Sequence, residues 1–251
     1  MTDQNQQTER VEAEIRVGNH SIRFSAQLVN ETVQLHELLP LFQSITEKIV
    51  EIAIAEVREK GKSISCRSGC GACCSQLVPI SKAEGAILLK LIESMPAEKQ
   101  GQVRSRFAAN MAVLNEHGLL ETLEKATSNH DKKELKALGL TYFGLNLPCP
   151  FLQNQSCSIH PQRPLSCREY LVVSDPKFCS EPDSGVVENL ILPKRISPIL
   201  YDMSRDESKS DRGFIPLVLL LASAERIQSE QPGPAPAMAW VERFLRYLGG
   251  G

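Results

Sequence analysis

The sequence predicts a mainly α protein of the α+β class, a helical domain with a small N-terminal β-hairpin and a loop-rich stretch studded with cysteine. Three observations predict it. Near the N-terminus apolar residues recur at every second position, the period of a half-buried strand. From Pro40 onward most apolar residues recur every three or four positions, the period of an amphipathic helix. Residues 147–184 hold six prolines, four cysteines and no glycine, with little periodicity, and cannot build a regular core alone.

The hairpin comes first. Val11, Ala13, Ile15 and Val17 alternate with polar residues, Gly18 and Asn19 tolerate positive φ, and Ile22, Phe24, Ala26 and Leu28 alternate again. Residues 30–39 connect it to a helix that starts near Pro40 and runs through Phe42, Ile45, Ile49, Ile52 and Val57 toward Lys62. Ser81 and Glu84 form a capping box ahead of Ile87, Leu88, Leu89, Leu91 and Ile92. Pro96 stops that helix and starts the next, and helical pattern continues to about Leu138 with breaks near Gly118 and Ser128. After the cysteine-bearing stretch, residues 186–192 read as a short strand, and an irregular segment follows to Arg212. A buried helix over 214–229, a Pro/Gly linker at 230–236 and an amphipathic helix at 238–248 close the chain. No internal repeat is found. The expected organisation is a lead-in hairpin and helix over 1–62, a cysteine-cluster metal-chelating domain with a helical insert over 63–195, and a C-terminal helical extension over 196–251 packed on the same core.

Composition excludes several functions. With 251 residues and 42% hydrophobic content the chain can bury one substantial core without staples. Its formal charge of −2, from interspersed acids and bases, creates no field to attract nucleic acid or an anionic membrane, so neither partner is expected. The polar N-terminus lacks the features of a signal peptide. The longest apolar run, 214–224, is about half the roughly 20 residues a membrane span needs. A cytoplasmic protein is expected, and cytosolic thiols stay reduced, so clustered cysteines there point to metal or catalysis rather than disulfides.

The eight cysteines fall into two clusters. Cys66, Cys70, Cys73 and Cys74 sit within nine residues, and Cys149, Cys157, Cys167 and Cys179 within thirty-one. Thiolates crowded this closely repel, and a cation relieves the repulsion while keeping them deprotonated. Ser68, Gly69 and Gly71 disfavour a helix through the first cluster, which reads as a loop whose last cysteines enter a helical turn before Ser75. Adjacent Cys73 and Cys74 cannot both point easily at one ion. One of them ligates while the other serves a second metal, a bridge or reactive chemistry, or else Cys74 simply fills a small apolar space. Prolines beside Cys149 and at 161 and 164 stiffen the second cluster and reduce the entropy lost on ligation. Eight thiols exceed one tetrahedral shell, so either two sites exist or some thiols do something else. Softness alone does not choose between zinc and an iron–sulfur cluster such as [4Fe–4S].

Around these, His160 is within chelating reach of Cys157. Arg163 and Arg168 bring fixed positive charge, with an ion pair to Glu169 or a nearby acid as the alternative use. Tyr170 is placed to donate to a sulfur or a substrate. Two other chemistries match the spacing but not its surroundings. Cys66, Cys70 and Cys73 have the C-x3-C-x2-C spacing of radical S-adenosylmethionine enzymes, but the chain lacks the alternating strands and helices of their barrel, and Ala72 stands where that motif favours an aromatic. The C-x2-C of Cys70 and Cys73 follows a long helix, whereas a thioredoxin-like site follows a strand.

The combined pattern, C-x3-C-x2-CC at Cys66 to Cys74, then CPFL from Cys149 and CSIHPQRPLSCREY from Cys157, resembles the YkgJ-type cysteine-cluster family, described as zinc- or iron-chelating. The resemblance covers about Cys66 to Cys179. It implies metal ligands at Cys66, Cys70, Cys73, Cys74, Cys149, Cys157 and Cys167, with Cys179 where the match is thinnest. The family's aromatic at the place of His160 implies a packing role there. Flagellin lysine methylases are similar in this pattern, so the resemblance admits a metalloenzyme of protein modification. A structural-zinc interaction module is the other alternative to a structural or redox metal site.

Overall fold

The computed structural model describes residues 8–29, 31–67, 69–181, 185–205 and 211–249. Strands β1 (Thr8–Val17) and β2 (His20–Val29) form the expected antiparallel hairpin, with Ile15 opposite Ile22 and Ala13 opposite Phe24. Gly18 turns the chain at φ +61°. One face is apolar and buried (Ile15, Val17, Ile22, Phe24), while Glu12, Glu14, Arg16 and Arg23 face solvent. A two-stranded hairpin is marginal alone, and this one rests its apolar face on the helices described next.

After β3 (Thr32–Val33) and a 3-10 turn at Leu35–Leu38, helix α1 runs over Leu39–Glu59 with Pro40 in its first turn. Phe42, Ile45, Ile49 and Ala53 are its buried stripe. Next, β4 (Pro79–Ser81) leads directly into α2 (Lys82–Ser94), and the capping box forms as read: Ser81 Oγ accepts from Glu84 N at 3.1 Å, and Ser81 N donates to Glu84 Oε2 at 2.8 Å. Helices α3 (Ala97–Glu116), α4 (Leu120–Lys125) and α5 (Lys132–Gly144) complete the insert, with α5 capped by Asp131 and continuing past Leu138.

The second cysteine stretch is irregular, as its composition requires. It holds a tight hairpin of β5 (Leu152–Gln153) and β6 (Ser156–Cys157), the five-residue α6 (Leu165–Glu169), and a 3-10 turn at Pro176–Ser180. Three expectations are corrected beyond it. The run 186–192 makes only an isolated bridge, Asn189 to Val172, and Ile191 is 85% exposed. The irregular segment to Arg212 contains helix α7 (Ser197–Met203), with Pro198 in its first turn. The run 214–229 is not one helix: β7 (Phe214–Pro216) pairs antiparallel with β4, a 3-10 turn covers Leu217–Leu219, and α8 starts only at Ala224, ending at Ser229. Residues buried on every side carry no period by which strand and helix can be told apart. The chain ends with β8 (Ala235–Pro236), paired to β3, and the amphipathic α9 (Ala237–Gly249).

The largest core cluster joins the hairpin, α1, α7 and α9, so the two ends of the chain are packed together. Phe42, fully buried, lies 5.0 Å from the Phe244 ring of α9. Phe42→Ala is expected to destabilise the protein by about 3–5 kcal/mol in denaturant unfolding. A loss below about 1 kcal/mol would mean that this interface is not formed. A second cluster, around Ile80, Phe107, Phe151 and Ile215, carries Cys149 and Cys157 on its border, and a small fourth one, around Ala53, Leu171 and Leu190, carries Cys66. The space between these two clusters is where the thiols meet.

Candidate metal centre

All eight cysteines line one cavity of about 340 Å³, and none is in a disulfide. The first cluster is delivered by α1. Past Gly61 the chain extends, Ser65 N donates to Val172 O at 2.9 Å, and Val172 N donates in return to Cys66 Sγ at 3.4 Å. Gly71 then opens a 3-10 turn over Ala72–Ser75 that sets Cys73 and Cys74 on the cavity wall. A Cβ on Gly71 would lie 2.9 Å from both Leu152 Cδ1 and Gln155 Oε1 and 3.3 Å from the Gln155 carbonyl, so glycine lets the β5–β6 hairpin approach this loop without displacing those side chains. Cys149 N donates to Cys74 O at 2.6 Å, which ties the two clusters together through the main chain.

In the second cluster, main-chain N–H groups point at sulfur. Phe151 and Leu152 donate to Cys149, and Ile159 donates to Cys157. Such donors favour the thiolate and suit a metal-bound sulfur. Cys167 rides on α6, which is gripped from two sides. The Oε1 of Glu84, buried at the start of α2, accepts from Leu165 N at 2.7 Å. Glu169, whose side chain is fully buried, accepts from Ile196 N (2.5 Å), Ser197 N (2.9 Å), Ser197 Oγ (2.5 Å) and Arg195 Nε (3.0 Å), so it also caps α7. Ser166 adds a bond to Pro79 O at 2.8 Å. Cys179 sits in the turn capped by Asp175, packed against the Ala72–Ser75 turn.

Burial dominates the electrostatics. It pushes the Cys149 thiol up to about 12 and Cys179 to about 11, and raises Cys66, Cys157 and Cys167 as well. Cys73 goes the other way, down to about 7, because the Cys74 thiol donates to its sulfur. The same bond holds the proton on Cys74 and raises it. Arg163 lines the cavity and its positive charge favours the thiolates of Cys66, Cys73 and Cys157. Its own Nε is buried without a partner.

The other named residues divide. His160 lines the cavity rim, exposed, its basicity lowered by desolvation and then by Arg163 and Arg168. Tyr170 also lines it and accepts a bond from Gln76 Nε2 at 2.9 Å. Arg168 does not line it. Its guanidinium is taken up by Glu47 of α1 and the carbonyls of Pro161 and Arg163, so its acidic partner is Glu47 and not Glu169. Sequence reasoning passed over the second acceptor role of Glu84 and the capping role of Glu169, for which the only local signal was an acid beside a short helix.

Among the described residues, no three Cys, His, Asp or Glu side chains stand close enough to hold a metal ion in their present positions. The thiols form the wall of a chamber and do not converge on a point. The donor set itself fits zinc or iron: soft sulfur ligands in excess of four, a neighbouring guanidinium, and main-chain N–H groups aimed at sulfur.

Residues 65–184 match the model of the CxxCxxCC family, described as "Putative zinc- or iron-chelating domain". No curated protein and no solved structure matches the chain. No helix among the described residues is long and apolar enough to cross a membrane. The matched span takes in all eight cysteines and the helical insert between them, with the hairpin and α1 before it and α7 to α9 after it. Over residues 65–184, just under half of the chain, the protein is therefore similar to a family of zinc- or iron-chelating domains.

Proposed function

We propose that the cavity chelates zinc or iron through the thiolates of Cys66, Cys70, Cys73, Cys74, Cys149, Cys157 and Cys167, as a structural or redox centre. The observation that carries this reading is the gathering of thiols 75 residues apart, Cys74 and Cys149, onto one chamber. When bound, the metal neutralises thiolates and cross-links loops that have no regular structure of their own. The chain's own residues do the rest: Val172, Phe151 and Ile159 offer N–H groups to sulfur, Arg163 offsets negative charge, and Glu84 and Glu169 fix the helix of Cys167. Anaerobic purification followed by metal and acid-labile sulfide analysis tests it. Colourless protein with stoichiometric zinc supports the zinc form, brown protein with sulfide supports a [4Fe–4S] form, and folded protein that takes up neither contradicts the proposal.

Binding is expected to strengthen with pH. Burial holds most of these thiols protonated at neutrality, so ligation must expel protons, and each expelled proton makes affinity rise as pH rises. Zinc added to the reduced metal-free protein in weak buffer at pH 7 should release more than one proton per metal. Proton-free binding would mean that the ligands are not these thiols. In the metal-free protein the same raised values contribute stability that is intact below pH 9, the ordinary thiol value, and lost as pH climbs toward the raised values of about 11 and 12 at Cys179 and Cys149.

A further inference from the structure

We infer that a second cavity, back to back with the thiol chamber, binds a free α-amino acid with an apolar side chain. The cavity measures about 320 Å³, at the lower end of the range of small-molecule sites, about 300–1,000 Å³. The ribbon of β4 and β7 is the wall between the two spaces. Val78 and Leu217, joined by a bond from Leu217 N to Val78 O at 2.8 Å, line the thiol chamber, whereas Leu77, Pro79, Phe214 and Pro216 line the second cavity. Side chains alternate across a strand, so one ribbon serves both. On the far side the cavity is bounded by α5, where Gly139 lies on its lining. Glycine is the least favourable helix-interior residue after proline, yet a Cβ at Gly139 would meet nothing within 4 Å. Its bare backbone leaves room that a side chain would take.

Against this apolar lining stand one base and one acid, Arg212 and Asp202. Tyr201 contributes its ring, since its hydroxyl is taken up 2.5 Å from Ser166 Oγ and 3.1 Å from Pro79 O. Arg212 is held in place: its N donates to Thr127 O at 2.8 Å, its Nη1 donates to Asn129 O at 3.1 Å, and its guanidinium lies 5.5 Å over the Phe214 ring. Gly213 follows it at φ +70°, and a Cβ there would overlap the Tyr201 carbonyl, so this segment is pinned against α7, which carries Asp202. Among the described residues, neither Arg212 nor Asp202 makes an ion pair, with the other or with any third group. A carboxylate against Arg212 and an ammonium against Asp202 satisfy both charges while an apolar side chain fills the remainder. A plain carboxylic acid would leave Asp202 facing an anion, and a plain amine would leave Arg212 facing a cation.

The test titrates L-phenylalanine and L-leucine into the full-length chain as purified, by isothermal calorimetry, with 3-phenylpropanoate and 2-phenylethylamine as probes that lack the amine and the carboxylate. Saturable binding of one amino acid per chain is expected, with each truncated probe at least about 10-fold weaker than phenylalanine. Arg212→Gln should weaken phenylalanine by a similar factor and leave 2-phenylethylamine unchanged, which a general loss of structure would not do. Gly139→Leu should melt no lower than the parent, keep the parent's metal content and bind neither amino acid. Three results would each overturn the proposal: no saturable binding of phenylalanine or leucine, 3-phenylpropanoate binding as tightly as phenylalanine, or unimpaired binding by folded Gly139→Leu. None of them bears on chelation, which is read separately as metal content.

Discussion

Cys73→Ser is expected to weaken metal binding more than any other single cysteine substitution. The negative charge of a Cys73 thiolate bears on Cys66, Cys74, Cys149, Cys157, Cys167 and Cys179, thiols of both cysteine clusters. It is also the thiol drawn down to about 7, which makes it the most ready thiolate at neutral pH and the natural first ligand for an incoming ion. Removing it takes away both that anchor and the acceptor that holds the Cys74 proton. Affinity should fall by more than the roughly 100-fold that loss of an outer supporting group costs. Competition against a chromophoric chelator reads this directly. If Cys73→Ser binds no worse than Cys70→Ser, the reach of Cys73 to thiols of both clusters has no energetic meaning.

The second large effect is expected at a residue that touches no metal. Glu169→Ala removes a fully buried carboxylate and leaves Ile196 N, Ser197 N and Ser197 Oγ without their acceptor. Each buried polar group left unpaired costs about 1–3 kcal/mol, and the loss of a helix cap adds about 1. A destabilisation of about 4 kcal/mol or more follows, in metal-free and metal-loaded protein alike. Because Glu169 ends the short helix that carries Cys167, metal occupancy should fall too, and Glu169→Gln, which keeps one acceptor oxygen, should recover part of both. Unfolding within about 1 kcal/mol of the parent would show that α6 is held by other means.

How much of this could be read in the sequence follows from where each interaction is encoded. The hairpin and α1 were legible because each has one wet face and one dry face, so their apolar residues keep a period, and the cap of α2 was legible because Ser81 and Glu84 stand three residues apart. Residues 214–220 have no wet face, and the apolar string they begin is divided among a strand, a 3-10 turn and a short helix by what packs on it. Helix α7 was invisible for another reason. Its N-cap, Ile196, offers no side-chain acceptor, and the acceptor comes from Glu169, 27 residues earlier. At the site, cysteine spacing together with a resemblance pointed to the family whose model matches residues 65–184, and named every thiol that lines the chamber. Distance in sequence hid the supports. Arg168 looked like part of the site because it adjoins Cys167, yet its partner Glu47 lies 121 residues away, and the bond from Leu165 to Glu84 spans 81.

Whether this cysteine chamber binds zinc or iron is decided by the metal content of the protein purified without oxygen, measured alongside the number of alkylatable thiols before and after chelation. At least one equivalent of zinc or iron per chain is expected, with a set of thiols that reacts only once the metal is removed. Folded, metal-free protein whose eight thiols react equally with and without added zinc or iron would contradict it.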